Sequence, residues 1–135
     1  MRKDIEIPVV ENVEIAAVLE WNEEYMQDTW YAYLFNNTEK DMEAILVVSQ
    51  ASGIIDGEER KTGSFRHAFP RLAPKSAQKI EMLDESVFQL DNHFFLTYFT
   101  DAKLFDKKYV FPANSVSENQ LNELKNSDKK GVLAK

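Results

Sequence analysis

The chain has 135 residues, no cysteine and a net charge of −7. That length fits one domain with its own core, and the absence of thiols excludes disulfides, thiolate zinc sites and cysteine nucleophiles. No run reaches the ~20 apolar residues of a membrane-spanning helix, and the charged start from Met1 to Glu6 lacks the apolar stretch of a signal peptide, so a cytoplasmic protein without membrane contact is expected.

Ile5, Ile7 and Val9 alternate with other residue types, and Pro8, which lacks a ladder donor, assigns that segment to an edge strand. Val13, Ile15, Ala17 and Leu19 repeat every second residue, the mark of a strand with one buried face. The acidic stretch from Asn22 to Asp28 then leads to the strongest pattern in the chain. Trp30-Tyr31-Ala32-Tyr33-Leu34-Phe35 runs into Asn36-Asn37-Thr38-Glu39-Lys40-Asp41, and Ile45-Leu46-Val47-Val48 follows. Aromatic and β-branched residues suit a pleated surface, whereas Asn and Asp bond their own backbone in turns. Strands over 29–36 and 43–50 joined by a polar turn are therefore predicted.

Gly53, Asp56-Gly57 and Gly63 punctuate a loop. Phe65, His67 and Phe69 share one face of a fifth strand that Pro70 and Pro74 close off, and Ile80 with Met82 marks a sixth. Residues 94–100 and 104–111 read as a hairpin around Asp101-Ala102-Lys103. Ser117 followed by Gln120 has the form of a capping box, and Leu121 and Leu124 lie three apart, so a helix over 117–125 is predicted. Residues 126–135 form a tail whose Val132 and Leu133 are suited to a sheet edge. About eight short strands without alternating helices predict one mainly β domain over 1–135: an antiparallel immunoglobulin-like β-sandwich with one short C-terminal helix.

No catalytic, metal or cofactor motif emerges. His67 and His93 are the only histidines, and they are not spaced as paired metal ligands; no Gly-x-Ser-x-Gly elbow offers a nucleophile. The four glycines never take phosphate-loop spacing, and no calcium-loop pattern surrounds the acidic pairs. Two features remain. Residues 60–80 carry Arg60, Lys61, Arg66, Arg71, Lys75 and Lys79 with no acid, whereas residues 1–59 carry 3 basic and 14 acidic side chains. Arg66, His67 and Arg71 are the candidate anion-binding residues of this island, against the plainer reading that its cations pair with the acidic half. Nucleic acid is not expected as a partner of so acidic a chain. The second feature is the stripe Tyr31, Tyr33 and Phe35, which falls on the face opposite Trp30, Ala32 and Leu34. A sandwich strand normally carries polar residues there, so either the C-terminal segment covers the stripe or the stripe is an interface.

With residues 30–49, Phe65-Arg66-His67, Leu72-Ala73-Pro74-Lys75-Ser76, Phe105-Asp106-Lys107-Lys108-Tyr109 and the ending Lys130-Gly131-Val132-Leu133-Ala134-Lys135, the chain resembles a group of short uncharacterised proteins found in Bacteroidetes. Some of that group carry the label phenylalanyl-tRNA synthetase alpha subunit. The resemblance implies no activity, because the shared segments are strand and turn sequences, and the G-x-G-x-G-x-x-R motif of class II synthetases does not occur here. The expectation is a non-catalytic protein-binding or structural domain, whose partner is another protein or a second copy of itself, without cofactor. The alternative is a binding module for a small anionic ligand that uses the basic island.

Overall fold

The computed structural model describes residues 8–135. Ten strands appear among them: β1 (Val13–Asn22), β2 (Gln27–Asn36), β3 (Met42–Ile55), β4 (Glu58–Lys61), β5 (Phe65–Leu72), β6 (Ser76–Leu83), β7 (Asp91–Thr100), β8 (Lys103–Phe111), β9 (Asn122–Glu123) and β10 (Lys130–Leu133). The strand expected over Ile5, Ile7 and Val9 falls mostly outside the described residues, and Pro8 and Val9 belong to no strand.

All strand pairs are antiparallel, and they form two sheets. The first sheet runs β6-β2-β1-β10-β9; in the second, β3 is flanked by β7 and then β8 on one side and by β5 and β4 in succession on the other. Between the sheets Ile15, Ala17, Trp30, Leu34, Met42, Ile45, Val47, Phe94, Leu96, Tyr109 and Phe111 are buried. The period-two reading of β1 and β2 holds here because strand neighbours point to opposite faces. Asp56-Gly57 joins β3 to β4 with both residues at positive φ, the geometry of a two-residue hairpin turn.

The predicted helix over 117–125 does not form. Ser117 makes no side-chain cap bond, a 3₁₀ turn occupies only Glu118–Gln120, and the chain then extends into β9. The leucine spacing explains the difference: residues three apart share a helix face, but in extended chain they point to opposite sides. Leu121 packs against the main core, whereas Leu124 lies on the outer side of the first sheet with Tyr33 and Phe35. A helix would have placed both on one side. The segment 126–135 is likewise not a free tail, since Asn126 turns at φ 58° and β10 enters the first sheet between β1 and β9.

The two lateral seams differ. At one, Lys135 N donates to Val110 O at 2.9 Å and Val110 N donates to Lys135 O at 3.0 Å, so the C-terminal strand ladders onto β8. At the other, β5 and β6 share no ladder, and side chains bridge them.

Candidate functional site

The side-chain bridge between β5 and β6 centres on Glu81. Ser49 Oγ donates to Glu81 Oε1 at 2.7 Å, and His67 Nε2 lies 2.8 Å from the same oxygen. Serine, histidine and carboxylate thus meet, but in the wrong order for nucleophilic catalysis: both Ser49 and His67 address the carboxylate, and no bond joins them to each other. The arrangement satisfies a buried serine and ties two sheets together. Beside it lies a cleft of about 260 Å³ lined by Ser49, Thr62, Phe65, Glu81, Asn92 and Phe94, among others. Among the described residues no group of three or more potential ligands is placed to hold a metal ion.

The three candidate anion-binding residues do not converge. His67 shares the inward face of β5 with Phe65 and Phe69, opposite Val47. Arg66 projects outward beside Val48, and Arg71 donates to Asp41 Oδ1 at 2.9 Å. Other island cations find acids elsewhere: Arg60 at 3.2 Å from Glu58, Lys75 at 3.3 Å from Glu39 and Lys79 at 2.8 Å from Glu20. The acidic first half therefore neutralises most of the island within the molecule, Lys61 and Arg66 excepted among the described residues.

The aromatic stripe sits on the outer face of the first sheet. Tyr33 and Phe35 are only 6% and 3% exposed, stacked 6.0 Å apart beneath Leu124 and beside Ala16 and Val18. Tyr33 donates its hydroxyl to Glu20 Oε1 at 2.6 Å, and Lys129 reaches Glu20 Oε2 at 3.2 Å. Burial, then the bond to Glu20, pushes the Tyr33 phenol well above its ordinary range. Tyr31 is half-buried at the rim, where Lys79 Nζ lies 4.0 Å from its ring centroid and Asn22 Nδ2 donates to its hydroxyl at 2.6 Å. The chain's own C-terminal segment thus covers most of the stripe.

Among the described residues, the outer face of the second sheet has no such cover. Phe95, Phe99 and Leu104 are 44%, 39% and 50% exposed, and Leu46 and Val48 beside them are half-buried. Register joins these into one surface: Val48 pairs with Phe95, and Phe99 with Leu104. The sequence carried a signal for it. From Phe94 to Phe99 the strand is apolar at every position but Thr97, with no polar face, so both of its sides seek cover.

No family model and no curated protein matches the chain.

Proposed function

We propose that this chain is a non-catalytic protein-binding β-sandwich that works through the outer face of its second sheet, on β5, β3, β7 and β8. One observation carries the reading: three large apolar side chains, Phe95, Phe99 and Leu104, stand exposed on a contiguous sheet face, while the chain itself covers the equivalent face of the other sheet. Monomeric domains rarely expose such contiguous apolar surface unless it binds something. The non-catalytic part rests on the order of the Ser49, Glu81 and His67 bonds, in which no nucleophile is activated. The alternative of a small-anion module using Arg66, His67 and Arg71 has less support, because these side chains point to different sides or are already paired.

The immunoglobulin-like reading of the sandwich has support in its connectivity. Within the two sheets, β6-β2-β1 runs in one layer and β5-β3-β7-β8 in the other, and the chain crosses between layers after β2, β5 and β6 and once more after β8 to add β9 and β10.

The test is a paired pull-down from the native cell with the wild-type chain and a Phe95→Ser, Leu104→Ser variant that keeps its melting temperature. A protein captured by the wild type and lost from the variant is expected. Equal capture by both would place the interface elsewhere.

A further inference from the structure

We infer that the partner of this face is a protein segment that presents acidic side chains next to apolar ones, with its acids over the Phe95 row. The inference rests on the interface reading above and adds the chemistry of the occupant. Pairing across the four strands places Arg66, Val48, Phe95 and Lys108 in one row, so an apolar pair is bracketed by two cations. Among the described residues neither cation has a carboxylate in ion-pair range, although four of the six island cations do. Lys108 instead holds its ammonium 5.5 Å from the Phe95 ring centroid, leaving its hydrogen bonds to solvent or a partner. Lys61 stands along the same edge, opposite Ser52.

Acids of this sheet stand to both sides of that row, Asp91 opposite Ser52 and Glu59 opposite Ile54 on the one side. On the other, Asp106 is opposite Thr97, and Glu43 is opposite Phe99 and Arg71. The face is therefore positive at the Phe95 row, with acids to either side of it, which fixes where the acids of a bound segment can sit. Charge complementarity sets which partner is admitted and how it is oriented, and the buried apolar contacts supply most of the affinity. A polyanionic nucleic acid fits less well: Phe95 and Phe99 offer rings, but Leu46, Val48 and Leu104 beside them offer none for successive bases, and the whole chain carries −7. The same −7 opposes a second copy of the chain.

The experiment selects binders from a random-peptide display library on the immobilised full chain, then measures the enriched peptides by fluorescence anisotropy. Three proteins are compared: wild type, Phe95→Ser, and Arg66→Glu with Lys108→Glu; a milder Arg66→Ala, Lys108→Ala variant guards against a folding defect. Enrichment of Asp or Glu beside aromatic or aliphatic residues is expected, with binding weakened about 10-fold or more by either variant and by about 0.5 M salt. Peptides that depend on Phe95 but lack acids, or ignore the charge variants, overturn the inference and leave the interface reading intact. Peptides indifferent to Phe95→Ser, or a library that yields no binder, count against the interface reading itself. Tighter binding of a single-stranded DNA or RNA oligomer, or a dimer mass by light scattering that Phe95→Ser abolishes, would overturn the protein-segment partner in favour of nucleic acid or of a second copy.

Discussion

Gly131 runs so close to Ala17 that a β-carbon on it would lie 2.6 Å from the Ala17 carbonyl oxygen and 3.1 Å from Leu124 Cδ1. The first contact is backbone inside a sheet and cannot yield without moving β1 or β10. The glycine serves closeness here, letting Leu124 settle over the second cluster of Ala16, Val18, Tyr33 and Phe35. Gly131→Ala is expected to cost about 2 kcal/mol, the usual range for overpacking, and to lower the melting temperature by roughly 8 °C. Calorimetry checks this, and a melting temperature within about 2 °C of wild type would show that β10 is not locked against β1.

Among the described residues Glu81 is the only acceptor for the Ser49 hydroxyl, and Ser49 is buried. Glu81→Ala is expected to cost about 2 kcal/mol, because it strands a buried hydroxyl as well as removing the His67 contact. Glu81→Gln keeps an acceptor and is expected to cost less. Adding Ser49→Ala to Glu81→Ala should recover part of the loss, since the orphaned group is then gone. Urea unfolding of wild type, Glu81→Ala, Ser49→Ala and the double variant provides the cycle. Additive losses would mean that the two residues act independently.

The strands were legible where one face is buried and the other wet, as at Val13 to Leu19, because the alternation itself is the signal. The hairpin of β7 and β8 was legible too, though its turn is the pair Asp101-Ala102, both at positive φ, and not the three residues expected. Two things were not legible. Leu121 and Leu124 satisfy a helix pattern as well as a strand that splits its leucines between two cores; only the pairing of Asn122 with Gly131 decides between them. The aromatic surplus of Tyr31, Tyr33 and Phe35 was visible, but its cover comes from Leu124, far along the chain, and local sequence holds no record of such a contact. The exposed aromatic surface lies instead on β7, on its outward residues Phe95 and Phe99.

Glu20 fastens the C-terminal segment to the first sheet, and its protonation should release it. Its carboxylate accepts from Tyr33 at 2.6 Å and faces Lys79 at 2.8 Å and Lys129 at 3.2 Å. Burial by itself would raise its pKa, but the hydrogen bonds from Lys79, Tyr33 and Lys129 outweigh burial and hold it below the ordinary 4.5. A carboxylate held low in the folded state is protonated first in the unfolded chain as pH falls. Its contribution is therefore complete above that ordinary value and drains away as pH drops through the lower, folded value. Glu20→Gln is expected to cost about 1 kcal/mol near neutral pH, a figure kept small because Lys79 is half in solvent. The gap in melting temperature between wild type and Glu20→Gln should then narrow over the acid range below the ordinary 4.5. Other carboxylates destabilise both proteins in acid alike, so the gap isolates Glu20; if it keeps a constant width over that interval, Lys79, Tyr33 and Lys129 do not hold the carboxylate in the way their distances indicate.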